Sequence, residues 1–179
     1  MKGSKLETGR LILRQLEPGD AAEIQRRIDD VDIARNTLTI PHPYTLADAE
    51  QWLAMQEEKR NDVVFGITLR EGGTIAGVIG IVLKPEDDRG EIGYWITREF
   101  QGQGLASEAV SAAIDYGFEA LGLNRIEAAH FSRNPASGRV MEKCGMRHEG
   151  RLRQRHKKWG EYVDCEMYAI LRSEWEGGR

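Results

Sequence analysis

A short glycine-containing segment, Gln101-Gly102-Gln103-Gly104-Leu105-Ala106, has the residue types that could bind an anion. It lies between an apolar run at residues 92–96, predicted as a strand, and a predicted helix over residues 104–121. Glycines at the start of a helix let the backbone turn tightly and direct several N–H groups to one point, where the helix dipole attracts a group such as a pyrophosphate. The small side chains of Ala106 and Ser107 would let that anion approach closely.

Two common phosphate-binding motifs are excluded for this segment. No Gly-Lys-Ser/Thr follows the glycines, so the segment is not a P-loop, and the dinucleotide pattern Gly-x-Gly-x-x-Gly is absent. A glycine-rich turn between a strand and a helix, binding no ligand, is the alternative to an anion site. The residues of the segment alone leave both interpretations open.

Asn134, Ser137 and Met141 form a second candidate group. They lie at i, i+3 and i+7 of a predicted helix over residues 135–144, so all three project from one face. An amide and a hydroxyl on that face could contact a bound ligand. The alternative is that Asn134 caps the helix ahead of Pro135, with Ser137 merely lying in the first turn.

The order of the predicted elements places these residues in one domain over residues 1–179, of the α/β (α+β) class. In the first half we expect a strand at 9–16, a short helix after Asp20, a helix opened by Thr45 and ended by Asn61-Asp62, and a hairpin of 63–70 with 74–84. In the second half we expect strand 91–97, helix 104–121, strand 125–131, helix 135–144, and a hairpin over 146–171 that turns at 158–160. The central β-α-β-α order implies a parallel pair of strands across a right-handed crossover, within a mixed, mostly antiparallel sheet that has helices on both faces.

Composition excludes several classes of protein. The 179 residues are 40% hydrophobic and 30% charged, which is typical of a folded chain, and the net charge of −4 argues against a general nucleic-acid binder. No apolar stretch approaches the ~20 residues of a membrane span, residues 1–16 do not resemble a secretory signal, and the two cysteines favour a reducing compartment. We therefore expect a cytoplasmic protein with no membrane contact. The four histidines lack metal-ligand spacing, so no metal site is expected.

The segment 147–158 departs from the acidic average. It contains six basic residues and one acidic residue, so it carries +5 while the rest of the chain carries −9. A solvated strand with Arg151, Arg153 and Arg155 alternating on one face is one interpretation. A contact with RNA, a ribosome or an acidic substrate is the other.

The segment 101–106 resembles the Gln/Arg-x-x-Gly-x-Gly/Ala signature of the GCN5-related N-acetyltransferases, the GNAT family, in which this loop binds the pyrophosphate of acetyl-CoA. Residues 6–14, 91–96 and 134–146 resemble the RimJ/RimL-type branch, which acetylates amino termini of ribosomal proteins among other amines. The resemblance implies a GNAT fold with a central β-α-β acetyl-CoA-binding core. The residues it implies for acetyl-CoA binding are Tyr94, Trp95, Ile96, Gln101, Gly102, Gln103, Gly104, Leu105, Ala106, Ser107, Asn134 and Ser137.

The resemblance also implies roles in catalysis. In the wider superfamily a tyrosine commonly occupies the place of Met141 and gives a proton to the departing thiolate, which a thioether cannot do. In the RimJ/RimL-type branch the hydroxyl is instead a serine three residues after the asparagine, here Ser137. We therefore expect Ser137 to donate a proton or hydrogen bond to the CoA sulfur and Asn134 to orient CoA or the acetyl group. A backbone N–H of residues 94–96 is expected to stabilise the oxyanion.

Acetyl transfer to an amine requires the neutral nucleophile. An α-amine with a pKa of 7.7–8.0 is roughly 10–20% neutral at pH 7, whereas a lysine amine is neutral at a cost of about 4.6 kcal/mol. The N-terminal α-amine of a protein or peptide is therefore the preferred acceptor. Glu91 and Glu127, on adjacent strands, are the candidates for a base acting directly or through water, and solvated surface glutamates are the alternative for both.

Two other functions stay open at this point. One is acetylation of a small amine, such as an amino-acid derivative, a polyamine or an antibiotic. The other is a CoA-binding or RNA-associated module without turnover, which Met141 and the basic segment 147–158 would suit. Either a monomer or a homodimer is compatible with the sequence.

Overall fold

The computed structural model describes residues 5–58 and 62–178, and one mixed sheet organises them. Its strands are β1 (Leu6–Glu7), β2 (Leu11–Arg14), β3 (Asp62–Leu69), β4 (Ile75–Lys84), β5 (Arg89–Ile96), β6 (Arg125–Phe131), β7 (Arg147–Lys158) and β8 (Glu161–Leu171). The helices are α1 (Ala21–Ile28), α2 (Val31–Asn36), α3 (Leu46–Glu58), α4 (Leu105–Glu119), α5 (Pro135–Lys143) and α6 (Arg172–Gly177).

The strand order explains where a cleft can form. It is β1-β2-β3-β4-β5-β6-β8-β7, and the β5–β6 pair alone is parallel among the described strands. This parallel pairing ends at Ile92 and Ala128. Beyond it β5 stays paired with β4 as far as Ile96, and β6 stays paired with β8 as far as Phe131. The two central strands therefore diverge, which opens a gap in the middle of the sheet.

Helices pack on both faces of the sheet, as predicted. On one face α4 and α5 bury Val110 and Met141 with Ile126 of β6, in a cluster that includes Ile92 and Ile96 of β5. On the opposite face α1 and α3 form a second cluster, whose buried members include Ile24, Leu53 and Ile75. Because side chains alternate along a strand, Tyr94 packs against the first cluster and Trp95 against the second. The predicted fold class, a mixed and mostly antiparallel α/β sheet, is confirmed.

Several predicted boundaries are confirmed and others need correction. Thr45 caps α3 as expected: its Oγ1 lies 2.6 Å from Asp48 Oδ2 and accepts from the Asp48 N–H at 3.2 Å. The predicted end of that helix at Asn61-Asp62 is replaced by the start of β3 at Asp62, and residue 61 lies outside the described residues. The short helices α2 and α6 were not predicted. No helix among the described residues is long and apolar enough to cross a membrane.

Candidate active site

A cleft of about 680 Å³ opens where β5 and β6 diverge. The glycine segment, the start of α4 and part of α5 line this cleft. It is also lined by residues of α2, the residues that follow α2, and two side chains of α3. Its lining residues include Leu38, Ile40, Trp52, Glu91, Tyr94, Trp95, Ile96, Gln101, Gly102, Gly104, Leu105, Ala106, Ser107, Asn134 and Ser137.

The glycine segment has the conformation that an anion-binding loop requires. Gly102 and Gly104 adopt φ of +73° and +81°, a region that residues with a side chain rarely adopt. Gly104 is the N-cap of α4, so the unpaired N–H groups of the first turn start at this glycine. The Gln101 Nε2 group donates to the carbonyl of Ile96 at 3.0 Å, which ties the segment to the end of β5. Gln103, in contrast, does not line the cleft, and its side chain donates to the Glu99 carbonyl at 2.8 Å.

Backbone N–H groups of β5 are directed into the gap between the diverging strands. The Thr97 N–H donates to the Ala76 carbonyl at 2.9 Å, on the β4 side of β5. N–H directions alternate along a strand, so the N–H groups of Tyr94 and Ile96 point away from β4, to the side that β6 has left. Residues 94–96, predicted to stabilise the oxyanion, thus have backbone N–H groups that point into the gap. Stabilisation of the oxyanion by these groups stays a prediction.

The Tyr94 hydroxyl meets Ser137 at the base of the cleft. Its Oη lies 2.7 Å from Ser137 Oγ and 3.3 Å from the Ser137 carbonyl oxygen. Burial raises the pKa of the Tyr94 hydroxyl to about 12, although the hydrogen bond to Ser137 acts in the opposite direction. Sequence reasoning assigned Tyr94 only as part of the CoA-binding strand. It missed this contact because the two residues are 43 positions apart and no local pattern relates them.

Asn134 occupies the N-cap position of α5, but its side chain makes no capping hydrogen bond. Its backbone N–H donates to the Phe131 carbonyl at 2.7 Å, which holds the turn between β6 and α5. The capping alternative considered for Asn134 therefore does not describe its side chain, which lines the cleft together with Ser137. Met141, on the same helix, is 1% exposed in the core and does not line the cleft.

The two candidate glutamates have different surroundings. Glu91 and Glu127 are partners in the β5–β6 register and share one face of the sheet. Glu91 is exposed and lines the cleft, whereas Glu127 is 7% exposed and does not line it. The Glu127 carboxylate accepts hydrogen bonds from the guanidinium groups of Arg89 and, at 3.1 Å, Arg125. These contacts disfavour Glu127 as the base, because both of its oxygens already accept hydrogen bonds from half-buried arginines that do not line the cleft.

Residues 38–40, which the sequence did not single out, also line the cleft. The carbonyl oxygens of Leu38 and Ile40 accept hydrogen bonds from Lys158 Nζ at 3.2 and 2.8 Å. Lys158 is 6% exposed, and burial, with the nearby Arg133, lowers its pKa. Arg133 in turn donates to the Arg35 carbonyl at the end of α2. Lys158 and Arg133 thus hold the end of α2 and residues 38–40, which line the cleft.

The basic strand β7 differs from the regular alternation that was expected. Leu152 pairs with Cys165 and His156 with Val163, so four steps on β7 match two on β8, and Gln154 has φ of +50°. This irregularity interrupts the predicted single face of arginines. Arg151 is also neutralised, since it lies 2.7 Å from Asp164 and 3.5 Å from Glu166. Lys158, counted with this strand in the sequence, is buried instead.

Within the described residues there is no group of three or more His, Cys, Asp or Glu side chains that could hold a metal ion. Cys144 Sγ donates to the Ser107 carbonyl at 3.3 Å, and burial raises the pKa of its thiol to about 11. Such a thiol is a poor nucleophile at neutral pH. Besides its hydroxyl, amide and carboxylate groups, the cleft is lined by His130 and His156.

Comparison with known proteins agrees with this geometry. A family model described as an acetyltransferase (GNAT) domain matches residues 10–147. The N-acetyltransferase YoaA of Bacillus subtilis strain 168 is 37% identical over 173 residues, covering 93% of this chain and 96% of YoaA. The ribosomal-protein-serine acetyltransferase of Escherichia coli strain K12 is 29% identical over 133 residues, covering 68% and 74%. The crystal structure of a GNAT-family acetyltransferase from Bacillus anthracis superimposes with a TM-score of 0.86 at 28% identity, covering 95% and 99%.

Proposed function

Because the chain belongs to the GNAT family of N-acetyltransferases and uses acetyl-CoA, we propose that its acceptor is the N-terminal α-amine of a protein or peptide. The observation that carries the proposal is the kind of base that the cleft offers. Glu91 is exposed at the point where β5 and β6 diverge, while Glu127 is held by two arginines. The base is therefore a solvated carboxylate rather than a buried one.

A solvated glutamate suits an acceptor that needs little help to lose its proton. An α-amine is roughly 10–20% neutral at pH 7, so forming the neutral amine costs only about 1 kcal/mol. A base that acts through water is sufficient for such an acceptor. A lysine or polyamine amine with a pKa near 10.4 would need about 4.6 kcal/mol and hence a stronger, better placed base. The cleft thus favours α-amines among primary amines.

Acetyl-CoA supplies the thioester that is attacked, and the cleft has the groups to hold it. The N–H groups at Gly102, Gly104 and the first turn of α4 suit the pyrophosphate. The gap between β5 and β6 suits the extended pantetheine arm, with Asn134 and Ser137 beside it. A volume of about 680 Å³ is within the range of sites for ligands of this size.

Ser137 and Tyr94 together suit the departing sulfur. A phenol is a stronger acid than an alkyl alcohol, so the favoured hydrogen bond across their 2.7 Å contact runs from Tyr94 to Ser137 Oγ. The Ser137 O–H is then free to point into the cleft. When the carbon–sulfur bond breaks, Ser137 gives its proton to the thiolate and takes the proton of Tyr94, which solvent later restores. In this mechanism no proton has to come from the position of Met141.

The other charges of the reaction have partners in the same gap. As the neutral amine attacks the carbonyl carbon, negative charge grows on the carbonyl oxygen, and the N–H groups of Tyr94 and Ile96 are directed to that region. The proton released from the attacking nitrogen passes to Glu91, directly or through water. Glu91 and Ser137 therefore divide the two proton transfers between them.

Relatives and surface charge bear on the acceptor. One relative acts on a ribosomal protein by its name, which supports a protein acceptor here. A ribosome or RNA contact through residues 147–158 is a weaker part of the proposal, because two of its six cations, Arg147 and Arg151, are paired with carboxylates and Lys158 is buried. The other three, Arg153, Arg155 and Lys157, are exposed. Binding to RNA that is absent at low salt, or that does not weaken as salt rises, would dismiss this contact.

The test is an acceptor panel with acetyl-CoA, in which free thiol release is measured. The panel contains peptides with a free amino terminus, the same peptides with a blocked amino terminus, and the amines spermidine and lysine. We expect turnover with the free peptides and none with their blocked partners. A higher kcat/KM for a small amine would contradict the protein acceptor, and acetyl-CoA binding without turnover on any acceptor would point to a silent CoA-binding module.

A further inference from the structure

Arg10, at the edge of β2, reaches across to the start of α4, 98 residues away in the chain. Its Nε donates to Glu108 Oε2 at 2.7 Å, and its backbone N–H donates to Oε1 of the same carboxylate at 2.8 Å. Its Nη1 donates to the Gln103 carbonyl at 2.9 Å. One guanidinium group therefore contacts both the glycine segment and the first turn of the helix behind it.

The bond to Gln103 sets the direction of an N–H group in the cleft. In a trans peptide the carbonyl and the following N–H point in opposite directions. The Gln103 carbonyl points to Arg10, so the Gly104 N–H points away from Arg10, and Gly104 lines the cleft whereas Gln103 does not. Gly104 also has φ of +81°, a region open to glycine, so the peptide between Gln103 and Gly104 could adopt other orientations. The hydrogen bond from Arg10 to the Gln103 carbonyl restricts it to one.

Glu108 is an unexpected residue beside an anion site. Its carboxylate lies in the first turn of α4, the helix whose N-terminus faces the pyrophosphate, and its side chain is 19% exposed. Burial alone would raise the pKa of Glu108, but hydrogen bonds from Thr8 and Arg10 outweigh burial and lower it. Glu108 is therefore a fixed negative charge, which would repel a phosphate unless a cation compensates it.

We propose that Arg10 is a positioning residue for the acetyl-CoA pyrophosphate, acting by aiming the Gly104 N–H into the cleft and by neutralising Glu108 next to it. The inference rests on acetyl-CoA binding at the glycine segment, as described above. Arg10 does not line the cleft, so it acts through Gly104 and Glu108 rather than by contact with the thioester. A purely structural role, in which Arg10 only joins β2 to α4, is the competing explanation.

Two acetyl donors separate these explanations. Acetyl-CoA contains the pyrophosphate, whereas acetyl-pantetheine has the same thioester without it. In the Arg10→Met variant we expect kcat/KM for acetyl-CoA to fall about tenfold relative to the natural chain, and that for acetyl-pantetheine to stay within about twofold. A loss of folding or of cleft shape would lower both values together. Equal effects on the two donors, or no effect on either, would overturn the inference.

The charge of Glu108 provides a rescue experiment. Glutamine at this position can still accept the Thr8 and Arg10 backbone bonds but has no charge to repel phosphate. We expect the double variant Arg10→Met/Glu108→Gln to bind ADP, a probe for the pyrophosphate site, more tightly than Arg10→Met alone. This difference should shrink as ionic strength rises, because salt screens the repulsion. A double variant that binds ADP no better than Arg10→Met would contradict the neutralising role.

Arg70 offers a matched control on the same segment. It donates to the Thr8 carbonyl at 2.7 Å and pairs with Glu7 at 3.1 Å, but it contacts neither Glu108 nor Gln103 among the bonds described. Arg70→Met should leave the ratio of the two kcat/KM values unchanged. If Arg10→Met does not fold, Arg10→Lys, which keeps the charge and loses the forked geometry, should still lower kcat/KM for acetyl-CoA selectively. If the natural chain itself does not bind acetyl-CoA, the cofactor site is wrong, and this outcome is separate from a failure of the Arg10 role.

Discussion

Tyr94 on β5 and Ser137 on α5 share a 2.7 Å contact between their hydroxyl oxygens, on the side of the cleft that also carries Asn134. The contact couples a buried phenol, whose pKa is raised to about 12, to a hydroxyl that faces the cleft. In the proposed mechanism this pair supplies the donor for the sulfur, which the thioether of Met141 cannot be.

We expect Ser137→Ala to lower kcat about 100-fold and Tyr94→Phe about 10-fold, while the affinity for acetyl-CoA changes little. The two residues act in series, so the double variant should lose little more than Ser137→Ala alone. Steady-state kinetics with calorimetric measurement of acetyl-CoA binding would check this. Effects that multiply in the double variant would show that the hydroxyls work independently.

A second prediction concerns stability in alkali. Burial raises the pKa of Tyr94 and of Tyr44 to about 12, and that of the Cys144 thiol to about 11. The folded protein holds these protons more tightly than the unfolded chain, whose groups titrate near 10 for tyrosine and 9 for cysteine. Their stabilising effect is complete below about pH 9 and is lost as pH rises to about 12. The free energy of urea unfolding should therefore fall between pH 9 and 12, and Tyr94→Phe should make that fall less steep.

A third prediction separates the two glutamates. Glu91→Gln should lower kcat/KM about tenfold at pH 7 and much less at pH 9, because more of the α-amine is already neutral at the higher pH. The pH profile of the initial rate measures this. An equal loss at both values of pH would mean that Glu91 does not act as the base.

Glu127→Gln is the matched contrast on the adjacent strand. It leaves Arg89 and Arg125 without their shared carboxylate, so we expect it to lower the free energy of unfolding by about 2 kcal/mol, because the carboxylate is buried while the two guanidinium groups are partly exposed. At a temperature where the variant is folded, its pH profile should match that of the natural chain. A selective loss of rate at low pH in this variant would return Glu127 to the list of bases.

A fourth prediction concerns residues 38–40, which we propose to lie beside the bound acceptor. Lys158→Met removes the ammonium group that holds the carbonyls of Leu38 and Ile40. We expect KM for the acceptor peptide to rise about tenfold, with KM for acetyl-CoA unchanged within about twofold, because the hydrogen bonds of Lys158 go to residues 38 and 40 and not to the glycine segment. Lys157→Met, at the exposed neighbouring position, is the control. A rise in KM for both substrates would indicate a general loss of structure instead.

The sequence predicted the central part of this fold well, because strong local signals lie there. The β3–β4 hairpin has two β-branched runs around Gly72-Gly73, and β6 begins and ends where the pattern predicted. The short helix α2 escaped prediction because it has only six residues and depends on Asp30, whose carboxylate accepts from the N–H groups of Asp32 and Ile33. Six residues are too few for a helical period to stand out.

Some residues of the site could likewise be predicted from local sequence, and others could not. The glycine segment, Asn134 and Ser137 lie within continuous motifs and could be named from the sequence. The contacts of Tyr94 with Ser137 and of Arg10 with Glu108 join residues 43 and 98 positions apart, so they depend on packing that no local pattern records. Glu91 and Glu127 have the same residue type at paired positions, and the burial of Glu127 and the arginines around it, which distinguish the two, follow from the folded structure.

The most direct test of the account uses one peptide that carries both a free α-amine and an internal lysine. The peptide is incubated with the enzyme and acetyl-CoA at pH 7, and tandem mass spectrometry locates the acetyl group. The account predicts acetylation at the α-amine, dependent on Ser137. Acetylation of the lysine in preference to the α-amine, or no acetylation of the peptide while a small amine is acetylated, would contradict it.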